Sequence, residues 1–311
     1  MAHTTANSAL LIRSEVWANE LKEILRDELM AMKYVDWMAN FPDGDTFTIP
    51  SIGQADVYDY TENEPVPYSA LDTGEFQFTI NHYKSSGSYI TRKAEQDSFY
   101  ADRLMARFVP EQERAIMADL EDNILALAPD AQTAANTNSI NGGKHRFVAT
   151  GTSNVIAPDD FARALLSLKL ANVPQTNLVA IVDPSVEFTL NTMTNLVNVS
   201  NNPRWEGIVS SGIASGMRFV KNVYGFDVYT SQHLKANAAE TLETVAISGF
   251  KNNLFFSAST PPFVGAWRQM PQVDTEFNKD LQRTEFVTTA RYGLKLYRPE
   301  AVVVVPSNTS V

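Results

Sequence analysis

Four histidines are the residues of this chain best suited to metal binding or acid–base chemistry, and they are scattered. They stand at His3, His82, His145 and His233, and no two have the spacing of paired metal ligands. Cysteine is absent, which excludes a disulfide framework, a thiolate nucleophile and a cysteine-bound zinc ion. The pattern predicts no metal site, and each histidine is expected to lie at the surface or to fill the core.

Three short stretches resemble known functional motifs without matching them. Gly142–His145 (GGKH) lacks the earlier glycine and the following Ser or Thr of a phosphate-binding loop. In Gly212–Gly216 (GIASG) the serine stands one place too late for a nucleophile elbow, and Asp43–Asp45 (DGD) is too short for a calcium loop. We therefore predict no catalytic residue and no cofactor. A hydrolase whose site combines residues far apart in the chain stays open as an alternative.

The overall composition is that of a folded, acidic protein with more than one lobe. Of its 311 residues 44% are hydrophobic and 20% are charged, which is enough apolar material for a packed interior. The net charge of −11 repels polyphosphate, so tight nucleic-acid binding over a whole face is not expected. We find no signal peptide pattern and no apolar run approaching the roughly 18 residues of a membrane helix. Synthesis in a reducing cytoplasm is the expected setting.

The first segment with a clear pattern predicts a helix. Apolar residues recur at helical spacing from Trp17 to Val35, after the possible N-cap Ser14, and the sequence NFPDG at 40–44 predicts the turn that ends it. Such a helix belongs either to the core or to an arm that docks on a neighbouring subunit.

The next segment predicts a long β-hairpin. Its strands are expected at 54–60 (QADVYDY) and around the alternating residues Phe76, Phe78 and Ile80. The connection at 61–74 (TENEPVPYSALDTG) is acidic and rich in residues that interrupt a β-ladder. Because an isolated hairpin is marginally stable in water, it needs a surface to lie on. Another copy of the protein or the body of the same chain could provide that surface.

A helix-rich stretch follows. We expect a short helix at Ser98–Arg107 and a longer one from Pro110 to Pro129, with a stripe of apolar side chains at helical spacing. Glu121 and Asp122 are interpreted as a solvated face of this helix. Residues 130–157 are small and polar, which predicts a loop.

The remainder predicts a mixed sheet covered by helices and then a β-rich end. Asp159 and Asp160 open a helix, the apolar run Leu178–Val182 is typical of a strand buried on both faces, and Asp183 starts a helix through Leu196. Further strands are expected near Met217–Val220, Phe226–Tyr229, Val245–Ser248, Leu254–Phe256, in the alternating stretch Phe286–Leu296, and at Ala301–Val305.

The order of these parts resembles that of the major capsid protein of tailed bacteriophages, the Hong Kong ninety-seven fold. Residues 158–186 (PDDFARALLSLKLANVPQTNLVAIVDPSV) resemble the family's helix and "VP" turn before a buried strand that ends in Asp-Pro. Residues 217–234 (MRFVKNVYGFDVYTSQHL) resemble its later strand, Gly-Phe turn and second strand. The resemblance spans nearly the whole chain, and it rests on the order of the parts more than on either motif.

The resemblance implies an α+β phage major-capsid fold with four regions. They are an N-arm at 1–43, an extended β-hairpin E-loop at 44–95, a P-domain with a spine helix and long β-strands at 96–175 and 270–311, and an α/β A-domain at 176–269. No long N-terminal scaffolding segment is expected before the arm, so the chain resembles family members that use a separate scaffold or have lost the segment. No cross-link is predicted for Lys84, because neither the asparagine nor the glutamate of cross-linking relatives can be matched.

The function implied is that of a structural protein, not an enzyme. It would self-assemble into pentamers and hexamers of an icosahedral shell around double-stranded DNA, in the virion capsid, after synthesis in the host bacterial cytoplasm. Implied partners are further copies of itself, portal and scaffolding proteins, a decoration protein, and packaged DNA contacted weakly on the inner face, with no membrane. The alternatives are an encapsulin-like nanocompartment shell protein and a β-rich phage tail or surface-binding protein.

Overall fold

The computed structural model of this chain describes residues 29–38, 46–52, 57–59, 61–65, 73–97, 101–132, 136–192 and 222–309. The helices are α1 (Arg92–Asp97), α2 (Ala101–Asp130), α3 (Pro158–Leu170) and α4 (Pro184–Thr192). The strands are β1 (Val35–Trp37), β2 (Thr46–Ile52), β3 (Thr73–Thr79), β4 (His82–Thr91), β5 (Ser139–Ile140), β6 (Gly143–Lys144), β7 (Leu178–Val182), β8 (Asn222–Val223), β9 (Phe226–Thr230), β10 (Thr241–Leu242), β11 (Val245–Ala246), β12 (Lys251–Ser257), β13 (Phe263–Asn278), β14 (Arg283–Leu296) and β15 (Val302–Ser307).

A mixed five-stranded sheet forms the centre of the α/β lobe, in the order β15–β12–β7–β9–β8. β7 runs parallel to β9 and antiparallel to β12, and all of its residues are buried, as predicted. Leu178 and Ala180 point to the face covered by α3 and α4, whereas Val179 and Ile181 point to the face covered by α2. This alternation follows from the two-residue period of a strand, and a strand covered on both faces is apolar at every position.

A second sheet has the order β1–β13–β14–β4 and packs its inner face on α2. Thr288, Ala290 and Tyr292 are fully buried on that face, which confirms the alternation predicted for β14. The 16-residue strand β13 was not predicted. Its register shifts twice, between Trp267 and Gln272, and that stretch contains Pro271, a residue rare inside strands, beside the polar residues Arg268 and Gln269.

β2 and β3 form the predicted hairpin, and its first strand is Thr46–Ile52, whereas that strand was predicted at 54–60. Residues 57–59 are described and lie outside any strand. The acidic residues of QADVYDY disfavour a strand, whereas TFTIPSI at 46–52 is rich in β-branched and aromatic side chains. Phe78 and Ile80 are buried against Val264 and Ala266 of β13, so the base of the hairpin packs on the body of its own chain.

The helical predictions need two corrections in their bounds. α2 continues through Pro110 and absorbs most of the separate helix expected at Ser98–Arg107. An interior proline removes one backbone hydrogen bond and costs about 3 kcal/mol, which the packing of a long helix on two sheets outweighs. At the N-proximal end, Val35 belongs to β1 and not to a helix. Before it, residues 29–34 are described and form only a short 3-10 turn at Ala31–Tyr34, so the predicted α-helix is wrong there as well. Residues 17–28 of that prediction and the 40–44 turn lie outside the described residues.

The predicted loop at 130–157 is largely packed against the body. Phe147 and Val148 are buried, and the N–H groups of Phe147 and Ala149 donate to carbonyls of β15. This stretch therefore covers an edge of the five-stranded sheet.

The strand expected at Val245–Ser248 also differs from the prediction. β11 pairs with β10 in a small hairpin outside the main sheet. Met217–Val220 and residues 193–196 lie outside the described part of the chain.

Candidate assembly surfaces

Glu121 is a buried carboxylate where α2 meets the N-proximal segment, which we define as residues 29–38. Its side chain has no exposed surface, so the prediction of a solvated face is wrong for Glu121. Its Oε1 accepts hydrogen bonds from the N–H groups of Met30 (3.1 Å) and Ala31 (3.0 Å), and its Oε2 accepts one from Ala31 (2.8 Å). Asp122 is exposed, as predicted, and pairs with His233 at 2.7 Å. The Glu121 carboxylate thus accepts hydrogen bonds from two backbone N–H groups that have no side-chain acceptor within the N-proximal segment.

The same segment is fixed a second time through β1. β1 adds in parallel to the edge of β13, and the indole rings of Trp37 and Trp267 stack with centroids 5.2 Å apart. Trp37 Nε1 donates to the carbonyl of Met32, and the N–H of Met38 donates to the carbonyl of Gly265. The N-proximal segment is therefore docked by an ionisable group at one end and by a strand with an aromatic pair at the other.

A polar network joins α2 to the second sheet. Asp119 accepts hydrogen bonds from Lys84 of β4 (2.9 Å) and from the Tyr292 hydroxyl of β14 (3.0 Å). Asn123 donates to both Asp119 and Tyr292, at 3.0 Å each. Burial and the neighbouring Asp119 carboxylate raise the pKa of Tyr292. Lys84, for which no cross-link is predicted, is thus engaged within its own chain.

The described histidines lie in separate surroundings, and His3 lies outside the described residues. His82 stacks on Tyr292, and burial together with Lys84 lowers its pKa. His145 is fully buried with its ring nitrogens 3.1 Å from the carbonyls of Gly143 and Glu300, and burial lowers its pKa. His233 pairs with Asp122. Each histidine serves a different contact, and within the described ranges no three His, Asp or Glu residues form a group that could hold a metal ion.

Where the structure describes them, the stretches that resemble functional motifs do not form a catalytic or phosphate-binding site. Gly142 lies in the turn of the β5–β6 hairpin, Gly143 and Lys144 form β6, and His145 follows that strand. Lys144 pairs with Glu243. Residues 212–216 and 43–45 lie outside the described part. Of the helices that are described, none has the length and apolar character needed to cross a membrane.

The exposed apolar side chains mark surfaces that could meet other molecules. Between β2 and β3, Val57 is 96% exposed and Tyr58 50% exposed, and residues 61–65, which include Glu62 and Glu64, are exposed as well. On the outer face of β4, Tyr83 is 66% and Tyr89 58% exposed, and the Arg283 guanidinium lies 4.4 Å from the centre of the Tyr89 ring. These surfaces favour contact with another protein over catalysis.

A match to a family model shows which class of protein this chain belongs to. The model is described as phage capsid protein, and it matches residues 75–305, which hold the four helices and the strands of both main sheets except β1 and the end of β15. The chain belongs to the phage capsid protein family. A comparison with curated protein sequences returns no match.

Solved capsid structures share the fold of this capsid protein over nearly its whole length. The capsid protein of Cyanophage P-SCSP1u matches with a TM-score of 0.74 at 17% identity, covering 96% of this chain and 94% of that chain. A chain of Mycobacterium phage Che8 matches with a TM-score of 0.69 at 18% identity, covering 94% and 97%. The capsid of a native GTA particle matches with a TM-score of 0.67 at 10% identity, covering 99% of both chains. The fold is the Hong Kong ninety-seven fold of tailed-phage major capsid proteins, as predicted.

Proposed function

We propose that this capsid protein assembles with copies of itself into the pentamers and hexamers of an icosahedral shell that encloses double-stranded DNA. The observation that carries the proposal is that the fold matches phage and GTA capsid chains over 94% or more of both partners. A fold shared over this length supports a subunit that packs in the same kind of lattice. The role proposed is structural, without catalysis, and its place is the virion capsid.

Within the shell we propose the four regions that the sequence suggests, with boundaries at residues 43, 95, 175 and 269. α2 is the proposed spine helix, and the β2–β3 hairpin forms the base of the proposed E-loop. The last strand, β15, lies beside β12 in the five-stranded sheet of the α/β lobe. The proposed P-domain and A-domain therefore share that sheet.

The physical basis of such a shell is many modest contacts. Rings close when heterologous contacts are related by rotation, and many contacts per copy make a lattice far more stable than any one of them. The exposed residues 57–59 and 61–65 of the hairpin connection form the proposed locking contact with a neighbouring copy. The net charge of −11 suits a container that confines DNA without binding it tightly. Portal, scaffolding and decoration proteins are proposed as further partners, and the host cytoplasm as the place of synthesis.

Electron microscopy of the purified protein tests the proposal. We expect closed icosahedral particles, with fivefold and sixfold clusters of subunits in averaged images. Trimers or tubes would favour the tail-protein alternative, and shells that copurify with an enzyme would favour a nanocompartment. A protein that stays monomeric, with and without a coexpressed scaffold, would overturn the proposal.

A further inference from the structure

β4 is a ten-residue strand at one edge of the second sheet. One side of it pairs with β14 from His82 to Thr91 without a register shift. Among the described residues no strand pairs with its other side, so that side presents a row of backbone N–H and C=O groups without ladder partners. An edge of this kind is a template for a strand of another chain.

β4 lacks the features by which many proteins prevent edge pairing. Those features are a proline, a bulge, or a charged side chain directed into solvent at the edge. The sequence of β4, HYKSSGSYIT, contains no proline, and its ladder with β14 is regular. Its only lysine, Lys84, lies on the inner face and donates to Asp119 of α2 at 2.9 Å. β13, by contrast, has Pro271 and two register shifts, so the β4 edge is the one suited to pairing.

The cover that α2 gives to the inner face of the sheet ends at β4. Thr288, Ala290 and Tyr292 of β14 are completely buried on that face. The β4 residues on the same face are only half-buried: His82, Lys84, Ser86, Ser88 and Ile90. A neighbouring copy placed beside β4 would cover them further, because it brings its own sheet and its own α2 to the same side.

We propose that β4 pairs with β4 of a second copy, antiparallel and across a twofold axis at Ser86. The inference rests on the proposed function, because the partner is another capsid subunit. This register sets Tyr83 opposite Tyr89 of the partner subunit, and Tyr89 opposite the partner's Tyr83, on the outer face where both side chains are exposed. Cross-strand aromatic pairs stabilise a sheet, so the contact gains two such pairs.

The β4 strand is self-complementary in this register. Residues 85–88 at its centre are serine or glycine, which lets the two backbones approach closely. Lys84 lies opposite Ser88 of the partner subunit, so like charges do not face each other. A patch that matches itself is what an isologous twofold contact requires. Heterologous contacts close the proposed rings, and this twofold contact joins a subunit of one ring to a subunit of the next.

A single introduced thiol tests the contact, because the chain has no cysteine. In the proposed register the two Cα atoms of residue 86 lie about 4.5–5.5 Å apart, a distance that a disulfide spans. Ser86→Cys in the full chain should therefore give a disulfide-linked dimer under mild oxidation, seen on a non-reducing gel. Thr91→Cys is the matched control, exposed on the same strand. Its two copies would lie about 33 Å apart, so it should stay monomeric.

A charge exchange tests the register without relying on thiol geometry. In the Ser86→Cys background, Tyr83→Lys should lower the dimer yield about fivefold, because it removes both aromatic pairs. Adding Tyr89→Glu should restore the yield through two ion pairs. Positions 83 and 89 lie about 20 Å apart within one strand, so this recovery acts between copies.

The proposal is overturned if Ser86→Cys gives no dimer, or if Thr91→Cys gives as much dimer as Ser86→Cys. Loss of dimer in Tyr83→Lys that Tyr89→Glu does not restore would overturn the register. Closed shells without the Ser86→Cys dimer would leave the proposed function standing and remove the β4 contact. A dimer in a protein that never forms shells would do the reverse.

Discussion

Trp37 lies directly against Gly265, and no side chain fits between them. A Cβ atom at position 265 would stand 2.7 Å from the six-membered part of the Trp37 ring and 3.0 Å from a methyl group of Val35. The closeness arises because β1 pairs with β13 in a register that sets Trp37 opposite Gly265. Glycine at 265 is therefore a condition for docking β1 in this position.

Gly265→Ala should weaken the docking of β1. The new methyl group forces Trp37 away from its stack with Trp267, and overpacking of this kind costs about 1–3 kcal/mol. We expect a lower midpoint of chemical unfolding and faster hydrogen exchange in residues 29–38. Gly87→Ala is the control, because its Cβ would meet its nearest atom at 3.6 Å, an ordinary contact. Equal effects of the two variants would contradict this account of Gly265.

Tyr292→Phe should destabilise the contact between α2 and the second sheet. The change keeps the ring and removes a hydroxyl that donates to Asp119 and accepts from Asn123. Asp119 and Asn123 are half-buried and keep other partners, so losing these two hydrogen bonds should cost about 0.5–1.5 kcal/mol in the free energy of unfolding. Tyr89→Phe, on the exposed face of β4, serves as the control and should change stability little. An unchanged free energy of unfolding for Tyr292→Phe would show that the hydrogen bonds of the Tyr292 hydroxyl do not stabilise the folded protein.

The central strand β7 could be predicted from the sequence, whereas β1 and β13 of the second sheet could not, and both outcomes have physical reasons. The five apolar residues of β7 form a continuous run because helices cover both faces of the strand. β13 was not predicted because Pro271 and the polar residues beside it are not typical of a strand, although the burial of its side chains alternates. The pairing of β1 with β13 joins segments far apart in the chain, and neither segment has a local pattern that indicates its partner.

Glu121 shows how a buried acidic residue could have been found. It follows Leu120 and stands three residues before Ile124, both of which are fully buried, so it lies within the apolar stripe of α2. A carboxylate in such a stripe must be hydrogen-bonded when the helix is buried. Its donors could not be predicted, because the Met30 and Ala31 amides come from a distant part of the chain.

Asp160 should give the stability of the protein a measurable pH dependence. Its carboxylate is fully buried at the start of α3 and accepts hydrogen bonds from Ala157 and Thr150. Burial raises its pKa against these hydrogen bonds. Because the folded-state pKa is the higher one, its favourable contribution is complete below the unfolded-state pKa and is lost as the pH rises through the folded-state value.

Asp160→Asn should remove this dependence. The difference in unfolding free energy between wild type and variant is measured by denaturant titration across the acidic range, and it should shift against the wild type as the pH rises. Asp159→Asn is the neighbouring control, since Asp159 is exposed. A difference that is constant with pH, or one that moves the other way, would contradict the assignment.

Deletion of residues 60–72 tests the hairpin connection as a locking contact. Residues 61–65 are exposed, and the nearby Val57 side chain is almost wholly so, whereas the base of the hairpin is held by Phe78 against β13. The deletion should therefore leave a soluble, folded subunit with unchanged thermal unfolding but without stable shells in negative-stain micrographs. A variant that replaces 60–72 by a glycine–serine segment of equal length separates the loss of side chains from the loss of reach. It should also fail to form stable shells, because a flexible segment lacks the acidic and apolar groups that a neighbour would bind. Normal particles from both variants would rule out a locking role and assign shell stability to the remaining contacts of the subunit.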